Sequence, residues 1–386
     1  MSNESYKAED SGEMIWLRLN RLKSVKLCEK LIREKLALQP NSQLTDEVIK
    51  NKAVGLASAF DSAIGYWEAA PRATNAKVLS RYYFMLQMTI AEQVSNVAIV
   101  DDLKTVQRHT EQGHGLATVE DHTAVLPENY YVGALASGHF SAYVKSLRIG
   151  AESFSFLKRP KNFLTVPQEE HKNLVRLVDL FRRIPELSQV IEEYTDLPPL
   201  SFHVGHSEKN MIIQSERIKE HIDRTGKVDM NPPTDSPTKK TYVDFYTRST
   251  RLTPDFLNNL ALPVSNIHMR DGQLIGEVDH PKELYWWQHC KTYNSSYATT
   301  HIISPLWGKV TDTVVLNFML LYALSIIVRY RPDHWYQINN GELNHIGSLV
   351  EFYTSTIDHV LPLQMLERIT GREISIHQPG SFLGPV

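Results

Sequence analysis

The sequence predicts a mainly α fold of the α+β kind, with two helix-rich segments flanking a β-containing middle. Three observations predict it. Apolar residues recur at helical spacing from residue 14 to about 195, and again after about 303. Between these stretches lie short strand-like runs and a Pro-, Ser- and Thr-rich loop at 231–240. Asp271-Gly272 stands between Ile-His-Met-Arg and Gln-Leu-Ile-Gly-Glu-Val, and such a pair between two strand-like runs signals a hairpin. The expected organisation is a disordered N-terminus over 1–13 and an N-terminal helical region over 14–197. A β-containing insert over 198–303 and a C-terminal helical region over 304–386, packing on the first, complete it.

The helices follow from spacing and caps. Ile15, Leu19, Leu22, Leu27, Leu31 and Ile32 predict one helix over 14–38, ended by Pro40 and Asn41. Thr45 caps a second, with Asp46 and Glu47 where the dipole favours acids. It runs to about Ala70 through Val54, Ala57, Phe60, Ile64 and Trp67, and Pro71 interrupts it. A third covers about 75–100, with Leu79, Tyr82, Tyr83, Leu86, Ile90, Val94 and Val97 inward. Residues 130–146 read as strand or short helix, and 168–194 as helix. Residues 201–204, 211–214 and 242–248 read as strands. Residues 314–328 are apolar for about fifteen positions, short of the roughly 20 a membrane span needs, and predict a helix buried on all sides. Thr311 or Asp312 caps it, and Tyr330-Arg331-Pro332 ends it. The last helix covers 348–369, kinked by Pro362 and stopped by Gly371.

Composition narrows the function classes. The 386 residues suit two domains, or one large helical body with an insert, and 42% hydrophobic content suffices for a core. With 41 basic and 44 acidic residues the net charge is −3, so any nucleic-acid contact must come from a local patch. Cys28 and Cys290 can build neither a disulfide framework nor a zinc ribbon, and residues 1–12 lack the pattern of a secretory signal. A cytoplasmic protein with no membrane partner is the expectation. No P-loop, Gly-x-Gly-x-x-Gly or Gly-x-Ser-x-Gly occurs, which argues against nucleotide hydrolases, Rossmann enzymes and α/β-hydrolases.

Three constellations carry candidate chemistry. Ser80-Arg81-Tyr82-Tyr83 is followed by Gly113-His114-Gly115-Leu116. The tyrosines read either as core aromatics or as site residues, and the His between glycines either as a tight turn or as close backbone approach to a ligand. Arg329, Arg331, His334 and Trp335 leave the buried helix within seven residues. They read as phosphate-pairing, proton-transferring and base-stacking groups, or as charges complementing a helix end beside a core tryptophan. Among the sixteen histidines, His203-x-x-His206 and His289-Cys290 lack further ligands at metal-site spacing, so no metal is expected.

These residues carry a resemblance. RATNAKVLSRYYFMLQMTIAEQ, GHGLA and PLWGKVTDTVVLNFMLLYALSIIVRYRPDHW, with the long helix that follows, resemble the YaaC-like family, Arg329 to Trp335 most specifically. An alanine-rich helix, an Arg-Tyr-Tyr helix and a His-Gly-Leu turn are also similar to HEPN-type domains. There the turn is Thr-His-Lys-Gly-like; here it lacks the Thr and Lys. Arg329, four residues and His334 match the spacing of catalytic HEPN proteins, with Tyr330 where a small polar residue usually follows the Arg. That resemblance implies a HEPN-like helical body acting on RNA as a homodimer, without metal or cofactor. Arg329 would stabilise the phosphorane, His334 act as general acid or base, and Arg331 hold the RNA backbone. Tyr82, Tyr83, His114 and Trp335 would line the binding site. Trp286, Trp287, Tyr285, Trp307 and Trp335 read either as interface anchors for the homodimer or as core aromatics. The opposing reading is a non-catalytic binding or scaffold protein in which Arg329 to Trp335 is structural, because Pro332 turns His334 away from Arg329.

Overall fold

Several helices start where the sequence supplies a side-chain acceptor for otherwise orphaned N–H groups. Asp10 accepts from Gly12 N and Glu13 N at 2.7 and 3.1 Å, Thr45 from Val48 N at 3.3 Å, and Asp312 from Val315 N at 3.0 Å. The computed structural model describes residues 2–39, 42, 44–69, 73–147, 156–230 and 236–379. Pro40, Asn41, Pro71 and residues 231–235 of the expected loop lie outside the described residues. The fold is mainly α with small sheets. It comprises two compact units, Met1–Leu180 with Asp312–Val386, and Phe181–Thr311.

In the first unit the chain forms strand β1 (Ser2–Lys7), then helices α1 (Ser11–Asn20), α2 (Val25–Ala37), α3 (Asp46–Glu68), α4 (Thr74–Ser95) and α5 (Leu103–Glu111). Strands β2 (Leu116–Glu120) and β3 (Tyr130–Ala134), helix α6 (His139–Ser146) and strand β4 (Leu174–Arg176) follow, then α7 (Leu177–Phe181). β2, β3 and β4 make an antiparallel sheet. The second unit contains α8 (Ile191–Thr195), β5 (Ser201–His206), α9 (Lys209–Thr225), β6 (Thr238–Tyr246), α10 (Pro254–Asn258), β7 (Ser265–Arg270), β8 (Gln273–Pro281), α11 (Trp286–His289) and β9 (His301–Ile303). Its antiparallel sheet, ordered β7-β8-β6-β5-β9, covers a core that includes Phe202, Val243, Phe245 and Leu274. Asp271 and Gly272 turn the β7–β8 hairpin with φ of 49° and 81°, the positive values such a turn requires. The first unit resumes with α12 (Thr313–Tyr330), α13 (Pro332–Asn340), α14 (Asn344–Thr370) and β10 (Arg372–His377), and β10 pairs in parallel with β1.

Several expectations are corrected. Within the N-terminal segment expected to be disordered, Ser2–Lys7 forms β1, for which β10 supplies a strand partner in full register. The single helix over 14–38 is two, since Ser24 is extended between α1 and α2. Residues 211–214 are helical, not a strand. Met211-Ile212-Ile213 sits inside the long helix α9, rich in Lys, Glu and Arg and closed by Gly226 in the left-handed conformation. The helix expected over 168–194 is broken, because β3 captures 174–176 as β4. Among the described residues five strands lie outside the 198–303 insert, and the second unit is wider than that insert at both ends. α13 follows Pro332 where the sequence suggests only a stop; Pro occupies its first turn, where a missing N–H costs nothing.

α12 is long and apolar enough to cross a membrane, with mean hydropathy 1.7, yet 78% of it is buried inside the protein as a core helix. Its polar side chains are satisfied locally: Asn317 donates to Thr313 O at 2.9 Å and accepts from Tyr353 at 2.8 Å, and Ser325 donates to Tyr322 O at 2.7 Å. Two ion clusters tie α14 to α4. Arg81 grips Asp358 at 2.6 and 3.3 Å while lying 3.6 Å over the Trp67 ring. Arg368 reaches Glu92 at 2.9 Å and Asp312 at 2.6 Å. Arg368→Met leaves Glu92 nearly buried without its cation. It should cost about 3 kcal/mol in urea unfolding, and Glu92→Gln in the same chain should recover part of the loss.

Candidate functional site

The site begins at a clamped turn. Gly113 and Gly115 adopt φ of 103° and 76°, and a Cβ on Gly138 would lie 2.5 Å from Gly115 N. That close approach lets His139 N donate to Gly113 O and Phe140 N to His114 O, each at 2.9 Å. His114 is thereby held against α4, where Nδ1 shares a 2.8 Å hydrogen bond with the Tyr82 hydroxyl. Burial lowers the pKa of His114, and the charges of Arg329 and Arg159 lower it further, so its imidazole is neutral at pH 7. Burial raises the pKa of the wholly buried Tyr82 phenol.

Arg329 enters from the last turn of α12. Nε donates to Ser325 O at 3.1 Å, Nη2 to Ser325 Oγ at 3.1 Å and Nη1 to the Tyr83 hydroxyl at 3.3 Å. Its guanidinium lies 5.8, 6.0 and 5.1 Å from the rings of Tyr82, Tyr83 and Tyr330. Among the described residues neither Arg329 nor the exposed Arg159 has a carboxylate within ion-pair distance. A guanidinium carries five N–H donors, so Arg329 keeps one free on each terminal nitrogen.

A second cluster forms where β2 ends. Arg331 Nη2 lies 2.5 Å from Glu120 Oε2, and His334 Nε2 lies 2.8 Å from Glu120 Oε1. His334 Nδ1 meets Asp333 Oδ2 at 3.0 Å, and Asn129 donates to Glu120 Oε1 at 3.2 Å. Burial alone would raise the pKa of Glu120, but hydrogen bonds and charge from His334 and Arg331 outweigh it and leave the carboxyl below its ordinary value. Trp335 beside this cluster is buried.

The structure thus brings Tyr82, Tyr83, His114 and Arg329 together, and gathers Arg331 and His334 around Glu120. Arg329 and His334 share no partner. They lie on different helices, α12 and α13, separated by Arg331, which is not helical, and by Pro332 at the start of α13. Of the expected interface aromatics, Trp286 and Trp335 are buried, and Trp307 is half-buried. Tyr285 and Trp287 stay exposed, with rings stacked at 4.4 Å. Among the described residues no group of three His, Cys, Asp or Glu side chains is placed to hold a metal ion. Reading the sequence alone misses Glu120, Arg159 and Tyr66. Glu120 ends an ordinary strand and the others stand in unremarkable surroundings, so only the fold brings them to the site.

Glu120 sets an expected pH response. A carboxyl held below its ordinary pKa adds stability that is fully present above about pH 4.5, and this is lost as pH falls through the folded value. Glu120→Gln should therefore be less stable than the wild type at pH 7 in urea unfolding, with the gap closing as the pH is taken below about 4.

The family model described as YaaC-like Protein matches residues 21–369 of the chain. No curated protein and no solved structure matches it.

Proposed function

Because the chain belongs to the YaaC-like family, whose name specifies no reaction, the function must be read from the site, and we propose a non-catalytic binding protein that captures an anionic group at Arg329. The carrying observation is the unequal treatment of two neighbouring arginines. Arg331 converges with His334 on Glu120, whereas among the described residues Arg329, half-buried, meets only hydroxyls, a carbonyl and aromatic rings. A partly desolvated charge without a counter-ion is costly, and an anion on its two free N–H groups offsets that cost. The fork of a guanidinium fits phosphate or carboxylate.

This reading weighs against the HEPN-type endoribonuclease. That chemistry needs Arg329 and His334 to share one phosphate, while here both ring nitrogens of His334 face carboxylates. In the binding reading Arg331, His334 and Trp335 hold α13 against β2, and Tyr82, Tyr83 and His114 form the wall behind Arg329.

Calorimetric titration with sodium pyrophosphate tests it. Wild type and His334→Asn should bind, and Arg329→Met should bind about tenfold to a hundredfold more weakly, as expected for loss of charged hydrogen bonds. RNA incubated with the protein in chelator should stay intact. Chelator-resistant cleavage by a homodimer, lost in both Arg329→Ala and His334→Ala, would overturn the proposal in favour of the nuclease.

A further inference from the structure

The aromatic rings around Arg329 extend this anion-binding reading, on which the present step rests. Tyr66 on α3 stacks on Tyr83 of α4, with centroids 5.0 Å apart and planes 22° apart. Tyr83 accepts from Arg329, and the Arg329 guanidinium lies 5.1 Å from the Tyr330 ring. The order is ring, ring, cation, ring, contributed by α3, α4 and α12. Both ends open to solvent: Tyr66 is 40% exposed and Tyr330 is 64% exposed. Tyr82, one position before Tyr83, is fully buried, so the same helix supplies a core ring and a ladder ring side by side.

We infer that this ladder binds a planar base joined to a phosphate, either a free nucleotide or a nucleotide of a single strand, with the phosphate on Arg329 and the base on Tyr330 or Tyr66. Rings accept any base because every base has a π-face, and Arg adds a cation to the stack. The phosphate gives the two free N–H groups of Arg329 their counter-ion. Arg159 adds a second charge on the His114 side, since its Nη2 lies 3.3 Å from where a Gly113 Cβ would stand. A duplex hides its base faces and does not suit the ladder. With a net charge of −3 the chain offers few phosphate contacts, so the salt dependence should be shallow, about one to two phosphates' worth.

The test is titration of the full chain with AMP, adenosine, pyrophosphate and a short single-stranded oligoadenylate, followed by competition. AMP should bind more tightly than either adenosine or pyrophosphate. Tyr66→Ala or Tyr330→Ala should weaken AMP about fivefold to tenfold, the range of losing one stacking partner, and leave pyrophosphate unchanged. Tyr66→Phe and Tyr330→Phe should bind as wild type, because stacking needs the ring and not the hydroxyl; this separates lost stacking from lost folding. AMP displacing the oligoadenylate mole for mole points to a free nucleotide, and tighter binding of the oligoadenylate per nucleotide points to a strand. Arg329-dependent pyrophosphate binding with no gain from the base would overturn this inference and leave the anion site standing. Binding of neither pyrophosphate nor AMP would overturn both.

Discussion

The burial of α12 is the constraint on which the first unit depends. Its eighteen residues carry almost no polar face, so water cannot solvate any side of it without loss. It packs against α4, β2 and α13, and Tyr353 of α14 bonds Asn317 in its middle. That requirement brings α12, α13 and α14 back onto the elements formed early in the chain, α4 above all. The ion clusters of Arg81 with Asp358 and of Arg368 with Glu92 and Asp312 then select how α14 lies on α4, since each charge is matched in one arrangement.

The same constraint places the site. A helix buried to its last turn must release its chain at the edge of the core, and the first residues released are Arg329 to His334. The electrostatics divide there. Glu120, at the end of β2, collects Arg331 and His334, while Arg329 turns toward α4 and finds neutral partners. His114, neutral behind Tyr82, adds no competing charge beside the Arg329 guanidinium.

Much of this is legible in the sequence for physical reasons. The all-round apolarity of 314–328, the Asp271-Gly272 turn and the caps at Thr45 and Asp312 are local signals, and the structure carries each. The tyrosine pair Tyr82-Tyr83 within a helix, His114 between glycines and Arg329 at the end of the apolar run also stand out in the sequence, although it is the fold that brings them together. What escapes is non-local. β1 becomes a strand because β10, some 370 residues later, lies beside it, and 174–176 become a strand because β3 does. Met211-Ile212-Ile213 shows the opposite failure, where a short apolar run has no period of its own and the surrounding helix formers decide. The spacing of Arg329 and His334 suggests a catalytic pair; Pro332 begins a new helix between them, and Glu120, invisible in the motif, claims the histidine.

Folding stability of Arg329→Met tests the central claim, that Arg329 is held for a ligand rather than for the fold. The contacts it would vacate are tolerant: Ser325 Oγ already donates to Tyr322 O, and Tyr83 is only half-buried. A residue kept for binding trades stability for function. Urea unfolding of ligand-free protein should place Arg329→Met within about 1 kcal/mol of wild type, or above it. A loss of about 3 kcal/mol or more, the scale of breaking a buried ion pair, would make Arg329 a structural ion and contradict the account.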